Sequence, residues 1–584
     1  MAINKSARQY NASFSYRTLR SADTRIMCGI FSIFSKDGEP IPTQIIHGSK
    51  HSLRELAYRQ SGKQRHRGPD STGVYVIPSD GVAMVHERLR IVGVEMGDQP
   101  FVSDDGNLIL VANGEIYNYF EISAEIAKKR GSYSPKSDCH VILELYQDYG
   151  KDLLHYITGM FAFALYDRKT KEVLIARDPF GIIPMYVGED ASGNLWVASE
   201  MKCLVDTCSK VETFTPGEAR FGKVGDLKTC WQFQESWIRE VPTQTCDLAL
   251  LRANLESAVR SHLQCDVHLG ALLSGGVDSS LIASIATKIM RERDPNFRLK
   301  TFSVGLKDAP DFQAARSVAK YINSDHKEII FEIDEALDGI RDIVYHLETY
   351  DVTTVRCSLP MLLLARYIKS TGIKMILSGE GADEIFGGYL YFHKAPGYKD
   401  FHEELVKRVR QLHLSDCLRA NKVAMAKGVE LRVPFLDTGF VNHVMQIRPE
   451  DKIPGPLNKF GEEQKKRLEK YVLRAAFADN YLPDEVLWRQ KEQFSDGVGY
   501  DWIDSIRRVA TSHVSDEEFA GAVLRFPFNT PTTKEAFYYR CIFAEQFPGE
   551  SAARTVVRWV PRLDWGCPED PSGRAQAVHQ FNED

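Results

Sequence analysis

The sequence predicts two fold classes in one chain: an α+β domain of layered antiparallel β-sheets with helices, followed by an α/β domain with a doubly wound parallel sheet. The chain has 584 residues, enough for two to four domains of about 100–200 residues each. Short apolar or alternating runs dominate as far as residue 232, as in layered sheets. From about residue 247, buried strands alternate with helices, which indicates parallel strands with helical crossovers.

The composition is that of a soluble globular protein and disfavours several classes of partner. Hydrophobic residues make up 43% of the chain and charged residues 26%. A net charge of −6 argues against a broad surface for nucleic acid or anionic membranes, and no run of about 18 apolar residues predicts a membrane span. The eleven cysteines are scattered without a CxxC pair, which indicates free thiols in a reducing compartment, and we expect the cytosol.

Residues 1–27 form a basic leader that we expect to be disordered or removed. Five basic residues, at positions 5, 8, 17, 20 and 25, stand against a single acid, Asp23. No apolar core accompanies them, so little would offset the entropy lost on ordering this segment. A transit peptide has the same basic, acid-poor composition and is an alternative.

Residues 28–232 have the pattern of a domain built from short strands. The runs "GIFSIF", "LILVANG", "MFAFALYD", "KEVLIARD" and "NLWVAS" are apolar or alternating and are bounded by Gly, Asn or Asp. One helix is expected around "DCHVILELYQDYG", where apolar residues recur at helical spacing.

Residues 233–246 are predicted to be a linker to a second domain at 247–550. Strands are expected in "VHLGALL", "LKTFSVGL" and "IKMILSG", each beside a helical segment. Residues 551–584 are rich in proline, glycine and charge, and we expect a loosely ordered tail.

The most specific motif is the turn "SGGVDSS" at 274–280, between a buried strand and a helix. Its two glycines let backbone amides approach phosphate closely, and the helix N-terminus adds positive potential. Ser279 and Ser280 can donate hydroxyls, and Asp278 can hold magnesium on a pyrophosphate. The loop resembles the type that cleaves ATP between the α- and β-phosphates, which makes an acyl-adenylate. The other phosphate-loop pattern, "GEARFGKV", has valine where a Walker A loop needs Ser or Thr and is taken as a chance match.

A second loop, "SGEGADEIFGGY", repeats the order of strand, glycine-rich turn and helix. Two such turns at the ends of parallel strands would flank one crevice. Glu380 and Asp383 place carboxylates where phosphate is expected, which suits a divalent cation or proton transfer. Helix capping is the plainer reading of Asp383 taken alone.

Cys28 has the setting of an N-terminal nucleophile. Once Met27 is removed, the α-amine of Cys28, with a pKa near 7.7–8.0, can act as general base for its own thiol. A cysteine that merely packs in a core is the alternative for this residue by itself.

Four motifs that follow Cys28 describe a pocket for a free amino acid. They are "HRGPD", "HERLRIV", "NGEIYN" and "SDC". The Asn113 amide and the Gly114 N–H could form an oxyanion hole. Arg88 offers a bidentate fork for an α-carboxylate, and Glu115 and Asp138 could hold an α-ammonium group.

From about residue 27 to 550 the chain resembles the glutamine-hydrolysing asparagine synthetases, which join an N-terminal-cysteine amidotransferase to an ATP-pyrophosphatase domain. The motifs above carry this resemblance together with "ETYDVTTVR", "YFHKAP", "GVELRVPFLD" and "WRQKEQFSDGVG". It implies that Cys28 forms a glutamyl thioester and releases ammonia. ATP then adenylates the β-carboxylate of aspartate, and ammonia, carried by an apolar tunnel, displaces AMP to give asparagine.

The resemblance also implies a role for each motif residue, with Mg²⁺ as cofactor and ATP as co-substrate. Glutamine binding falls to Arg88, Leu89, Arg90, Ile91, Val92, Asn113, Gly114, Glu115 and Asp138. The ATP site comprises Leu272, Ser274, Gly275, Gly276, Asp278, Ser279, Ser280, Val304, Ser378 and Gly379. Aspartate or phosphate would be held by Thr353, Thr354 and Arg356, and magnesium by Asp278 and Asp383. Glu380, Arg356 and Lys491 would act in adenylate formation, Lys491 by neutralising developing charge.

Two features depart from the family's pattern. Gly93 stands where the family commonly carries aspartate, beside the expected glutamine pocket. The leader would block the Cys28 amine, so we predict that translation starts at Met27 or that processing frees Cys28.

Two other functions fit parts of the sequence. A β-lactam-forming synthetase shares the fold but tends to lose the glutaminase cysteine, which is present here as Cys28. A non-catalytic protein that binds amino acids or nucleotides would be expected to lack catalytic groups, whereas Cys28, Asp278, Glu380 and Lys491 are all present. Glutamine, aspartate and ATP are therefore the expected partners, without nucleic acid or membrane, and a homodimer is common in the family.

Overall fold

The fold is taken from a computed structural model that describes residues 28–42, 44–46, 49–93, 95–460, 468–570 and 572–576. The leader expected at residues 1–27 lies outside the described residues. No helix in the described ranges combines the length and apolarity needed to cross a bilayer.

The described part of residues 28–232 holds fourteen strands and three α-helices. The strands are β1 (Gly29–Phe34), β2 (Gln44–Ile46), β3 (Ser49–His51), β4 (Ser71–Ile77), β5 (Val82–Arg88), β6 (Phe101–Val102), β7 (Leu108–Ile116), β8 (Gly159–Asp167), β9 (Glu172–Arg177), β10 (Tyr186–Glu189), β11 (Leu195–Ala198), β12 (Lys210–Thr213), β13 (Glu218–Gly222) and β14 (Lys228–Gln232). The helices are α1 (Leu53–Ser61), α2 (Tyr119–Arg130) and α3 (His140–Tyr149). All five expected strand segments are confirmed, but the prediction of one helix is wrong, because α1 and α2 lie in segments of strongly mixed polarity.

Two six-stranded antiparallel sheets form the layers of this half. Their strand orders are β12-β10-β11-β1-β5-β4 and β14-β13-β9-β8-β7-β6. Along β7, alternate residues serve two cores: Ile109 and Val111 face the first sheet, whereas Leu110 and Ala112 pack under α2 and α3. The period of two therefore explains why β7 is apolar throughout, and the layered α+β prediction is confirmed.

The second half is built on a five-stranded parallel sheet of order β17-β16-β15-β18-β19. Its strands are β15 (Leu269–Leu272), β16 (Lys300–Gly305), β17 (Asp325–Ile330), β18 (Met375–Leu377) and β19 (Glu430–Arg432). The order turns back at β15, so the loops after β15 and β18 open into one crevice. This confirms the doubly wound prediction and brings the two glycine-rich turns together.

The described helices of this half surround the sheet and extend beyond it. They are α4 (Leu248–His262), α5 (Val277–Arg291), α6 (Pro310–Tyr321), α7 (Ile333–Asp338), α8 (Ile340–Leu347), α9 (Val352–Ser370), α10 (Ala382–Phe386), α11 (Tyr398–Gln411), α12 (Asp416–Met425), α13 (Thr438–Met445), α14 (Pro449–Lys452), α15 (Tyr471–Ala476), α16 (Asp484–Leu487), α17 (Phe494–Gly497), α18 (Asp501–Ser512), α19 (Asp516–Ala520), α20 (Ala522–Arg525), α21 (Lys534–Gln546) and α22 (Glu550–Arg554).

The described C-terminal segment is packed against the second half, which differs from the loosely ordered tail that we expected. The Trp559 N–H donates to Asp351 Oδ1 at 2.7 Å, and the Gly573 N–H donates to Asp496 Oδ2 at 2.7 Å. Trp559 is 8% exposed. The segment is polar overall, so its composition did not indicate that a few apolar side chains anchor it.

Candidate active sites

The first candidate site is a small cavity beside Cys28, at the start of β1. The Leu89 N–H lies 3.2 Å from Cys28 Sγ, and the thiol lies 3.4 Å from the Leu89 carbonyl. Burial raises the pKa of the Cys28 thiol to about 12. The thiol is therefore protonated near neutral pH and needs a base to become a nucleophile.

Asn113 and Gly114 line the same cavity from β7. Asn113 Nδ2 lies 3.3 Å from Ser199 Oγ, which orients the amide. Gly114 has φ +134°, and a Cβ there would meet the Met160 carbonyl oxygen at 2.0 Å. Only glycine fits this position, so the strand can present its backbone to the cavity.

Arg88 lines the cavity with its guanidinium fixed at two points. Nη1 lies 2.5 Å from Asp98 Oδ1, and Nη2 donates to the Gly93 carbonyl at 2.8 Å. Leu89, Ile91 and Val92 also line the cavity. Arg90 does not line it and lies 3.8 Å from Asp98 Oδ1.

The acidic side of the cavity is formed by Glu115 and Asp138. Asp138 Oδ2 accepts from the Ile116 N–H at 2.8 Å, and burial raises the pKa of Asp138 to about 6. Burial likewise raises the pKa of Glu115 well above its usual value, although Arg432 lies 2.8 Å from its Oε1. The ammonium group of a bound amino acid would offset the cost of burying these two negative charges.

The second half of the chain completes this cavity. Glu430, in β19, is one of the lining residues, and Arg432 Nε donates to Glu430 Oε1 at 2.6 Å. The Arg432 carbonyl also accepts the Ser378 N–H at 2.9 Å, at the start of the second glycine-rich turn. The sequence motif "GVELRVPFLD" contains Glu430 and Arg432, but their roles in this cavity were not predicted, because their contacts join the two domains.

Gly93 has a conformation that aspartate would strain. Its φ is +65°, and a Cβ would lie 2.0 Å from the Lys136 carbonyl oxygen. The Gly93 N–H donates to Asp266 Oδ2 at 3.1 Å. In this chain, the turn beside Arg88 is therefore built around glycine.

The second candidate site is a larger cavity between the turns that follow β15 and β18. Twelve of the residues predicted for ATP, aspartate or magnesium binding or for adenylate formation line it: Leu272, Ser274, Gly276, Asp278, Ser279, Val304, Thr353, Ser378, Gly379, Glu380, Asp383 and Lys491. The turns touch closely, since a Cβ on Gly379 would lie 2.6 Å from the Ser279 nitrogen. One bound nucleotide could therefore contact both turns.

Gly275 and Ser280 support the first turn from behind rather than line the cavity. Gly275 has φ +87°, and its Cβ would meet Ala314 and Ala315 at 2.7 Å. Ser280 is fully buried at the start of α5. Both residues therefore determine the shape of the turn and do not contact the cavity directly.

Two lysines and two aspartates form an ionic cluster at this cavity; Asp278, Asp383 and Lys491 line it, and Lys470 is fully buried behind them. Lys470 Nζ lies 2.5 Å from Asp278 Oδ2 and 2.6 Å from Asp383 Oδ1, and Lys491 Nζ lies 2.9 Å from Asp383 Oδ2. Burial opposes ionisation of Asp383, but Lys470 and Lys491 outweigh it and lower its pKa to about 2. Lys470 was missed by the sequence analysis because "EKYVLR" has no phosphate-loop signature.

Glu380 is held by a second cation that the motifs did not reveal. Arg419 Nη2 lies 2.9 Å from Glu380 Oε2 and 2.9 Å from Asp416 Oδ1. Burial and the nearby Asp416 raise the pKa of Glu380. The three side chains line the cavity together.

Arg356 and Thr354, which were predicted to hold aspartate or phosphate together with Thr353, do not line this cavity. Arg356 forms a bidentate pair with Glu535, at 2.8 and 2.6 Å, in a separate cavity that the C-terminal segment helps to enclose. The Thr354 hydroxyl donates to Asp351 Oδ2 at 2.8 Å. On α9, Thr353 and Cys357, which are one helical turn apart, line the cavity between the two turns.

The residues expected to bind magnesium do not by themselves form a three-ligand site. Among the described residues, no cluster of three or more His, Cys, Asp or Glu side chains is arranged to bind a metal ion. Asp278 Oδ1 is buried and has no hydrogen-bond partner in the described structure.

Two family profiles match this chain. The profile of a glutamine amidotransferase domain covers residues 27–217, and the profile of asparagine synthase covers residues 250–398 and 394–561. The boundary between the two matches lies close to the expected linker.

Curated relatives match nearly the whole chain. A protein of Dictyostelium discoideum described as a probable asparagine synthetase [glutamine-hydrolyzing] is 46% identical over 95% of this chain and 99% of its own length. The Saccharomyces cerevisiae asparagine synthetase [glutamine-hydrolyzing] 1 is 45% identical, and the Escherichia coli asparagine synthetase B [glutamine-hydrolyzing] is 46% identical, with the same coverage of both chains. Identity at this level over nearly the whole chain shows that the chain belongs to the glutamine-hydrolysing asparagine synthetase family.

Proposed function

We propose that this protein makes L-asparagine from L-aspartate and ATP with ammonia taken from glutamine. The observation that carries the proposal is that one chain holds both a cysteine cavity with an amino-acid pocket and a two-turn cavity for ATP. The domain limits that go with it are 28–232 and 247–550, joined by residues 233–246.

In the glutaminase step, Cys28 attacks the side-chain amide of glutamine. Arg88 binds the α-carboxylate, and Glu115 and Asp138 bind the α-ammonium group. The Asn113 amide and the Gly114 N–H stabilise the oxyanion. The α-amine of Cys28 accepts the thiol proton, which makes a free N-terminus at Cys28 a requirement of this step.

Ammonia leaves towards an apolar cluster between the two cavities. Leu89, Ile91 and Met425 pack together there, with Cys28 and Val92 partly buried against them. Such side chains give ammonia few hydrogen-bond partners and keep it unprotonated. This packing supports an internal route.

In the synthetase step, the glycine-rich turns bind the phosphates, and the β-carboxylate of aspartate attacks the α-phosphorus and displaces pyrophosphate. Ammonia then attacks the acyl carbon of the β-aspartyl-AMP and displaces AMP. Lys491 neutralises charge that develops on the pentavalent phosphorus, and Arg419 holds Glu380 in place. Thr353 is a candidate aspartate contact, because its hydroxyl is buried without a hydrogen-bond partner in the described structure. Arg356 supports this region through Glu535 instead of binding substrate directly.

Asp278 and Asp383 fit a role in holding Mg²⁺. Both carboxylates line the cavity beside the phosphate-binding turns, and Asp278 Oδ1 has a free lone pair. When bound, Mg²⁺ would neutralise charge on the phosphate oxygens. The Lys470 ammonium pairs with the other carboxylate oxygen of Asp278, Oδ2. The ammonium and a Mg²⁺ ion would therefore compete for the same two aspartates.

The cellular location and the assembly are inferred from the family. We propose a cytosolic enzyme, and a homodimer as its assembly. The two other functions considered from the sequence are disfavoured by the geometry, since the cysteine cavity is complete and both lysines face the phosphate turns.

Aspartate-dependent release of pyrophosphate tests the proposed function. Purified protein with ATP and ammonium chloride should release pyrophosphate and AMP only when aspartate is added. A β-lactam-forming enzyme would not respond to aspartate, and a binding protein would release nothing. Cys28→Ala should keep this ammonia-dependent reaction and lose glutamate formation from glutamine.

A further inference from the structure

We propose that Asn421, in the synthetase half, is a positioning residue for the Cys28 nucleophile. The inference rests on the proposed glutaminase role of Cys28. It comes from three hydrogen bonds on one buried guanidinium, that of Arg67, and from the helix that carries Asn421.

Arg67 is fully buried and fixed at three points. Its Nε donates to the Cys28 carbonyl at 3.1 Å, its Nη1 to Glu200 Oε1 at 3.0 Å, and its Nη2 to Asn421 Oδ1 at 2.8 Å. Because guanidinium is rigid and planar, the Asn421 and Glu200 contacts set the direction from which Nε reaches Cys28.

The helix α12 holds Asn421 firmly against the glutaminase half. The next residue, Lys422, donates to the Tyr186 hydroxyl at 2.8 Å and pairs with Glu348. Met425 packs against Leu89, whose backbone brackets the Cys28 sulfur. The same helix carries Arg419, which binds Glu380 in the ATP cavity.

Loss of the Asn421 oxygen would leave a charged N–H buried without an acceptor, so Arg67 would shift to find another. The Cys28 carbonyl would then lose its fixed hydrogen-bond donor. As a result, the nucleophile would no longer be held in position relative to Asn113 and Gly114. Small displacements of reacting atoms cost large factors in rate. Glutamine itself contacts other residues, so binding should change little.

The test compares Asn421→Leu with Asn421→Asp, which keeps an acceptor for Arg67. For Asn421→Leu we expect kcat for glutamate release to fall by about tenfold or more, with KM for glutamine within about twofold. Ammonia-dependent asparagine synthesis should also stay within about twofold, because Asn421 does not line the ATP cavity. Asn421→Asp should restore most of kcat.

Asn442→Leu is the matched control. Asn442 also joins a synthetase helix to another segment, through Trp237 and Glu235, but it has no contact with Arg67 in the described structure. Its ratio of glutaminase to ammonia-dependent activity should equal that of the wild type. If Asn421→Leu does not fold, Asn421→Ala removes the same acceptor with less apolar bulk.

Two results would overturn the proposal: unchanged kcat for glutamate release in the variants that lack the acceptor, or an equal fall in both activities. A wild-type enzyme that releases no glutamate, or a Cys28→Ala variant that still does, would instead contradict the proposed function itself.

Discussion

The ammonium of Lys470 lies 2.6 Å from Asp383 Oδ1, a carboxylate that lines the cavity between the two glycine-rich turns. The same ammonium is 2.5 Å from Asp278 Oδ2, so one fully buried lysine joins the carboxylates of the two glycine-rich turns. A buried charge of this kind is held only by its partners. Lys470 and Lys491 lower the pKa of Asp383 to about 2 at the site proposed for the polyphosphate of ATP.

Replacement of Lys470 should therefore damage the synthetase step selectively. In Lys470→Met, the carboxylates of Asp278 and Asp383 would lie close together with only Lys491 to offset their repulsion. We expect ammonia-dependent synthesis to fall by about tenfold or more, the equivalent of at least about 1.4 kcal/mol, while glutamate release stays within about twofold. Lys399→Met, which removes an exposed lysine paired with Glu403, is the control. Wild-type synthesis in Lys470→Met would refute this role.

Gly93→Asp should weaken glutamine use in this chain, although aspartate is common there in the family. The new Cβ would collide with the Lys136 carbonyl and displace the turn that binds Arg88 Nη2. We expect KM for glutamine to rise by about tenfold, because the α-carboxylate contact is disturbed. Gly106→Asp is a close control, since Gly106 has φ +71° with open space at its Cβ. Equal effects of the two substitutions would show that backbone conformation alone matters.

The pH profile of glutamate release should have two breaks on its acidic side. The Cys28 amine must be neutral to act as base, so log(kcat/KM) should fall with slope one below its pKa, near 7.7–8.0. Asp138 must be ionised to bind the ammonium group, and its pKa is raised from 3.8 to about 6, so the slope should become two below about pH 6. The thiol, with a pKa of about 12, stays protonated throughout. Asp138→Asn should lower the rate and remove the lower break; a slope of one down to pH 5 in the wild type would exclude this role for Asp138.

Residues before Cys28 should abolish glutamine use and spare ammonia use. The 584-residue chain beginning at Met1 has no free amine at Cys28, whereas a chain beginning at Cys28 does. We expect glutamate release only from the second, and ammonia-dependent synthesis from both. Intact mass and N-terminal sequence of protein from its native source would show which form exists. Full glutaminase activity in a chain confirmed to begin at Met1 would require another base.

Much of both sites was predictable from short motifs. Cys28, Arg88, Asn113 and Asp138 meet in one cavity: Cys28 precedes β1, Arg88 ends β5, Asn113 lies in β7, and Asp138 precedes α3. The two glycine-rich turns meet because they follow adjacent parallel strands, β15 and β18. In the two glycine-rich turns, the motif also marks where the strand ends.

Other features needed three-dimensional contacts. Lys470 lies 192 residues from Asp278 along the chain, and no local pattern links them. Arg356 lies three residues after Thr353 on α9, so helical spacing places both near one face, yet Arg356 pairs with Glu535 in a separate cavity, a contact that no local pattern shows. The C-terminal segment was misjudged from composition, which cannot show that Trp559 is buried.

Transfer of the amide nitrogen tests the central claim most directly. Protein beginning at Cys28 would be incubated with amide-¹⁵N-labelled glutamine, aspartate and ATP, and asparagine, AMP and pyrophosphate would be measured together. The account predicts ¹⁵N in the asparagine side chain, with one AMP and one pyrophosphate for each asparagine. ADP and phosphate in place of AMP and pyrophosphate, or asparagine without the label, would contradict it.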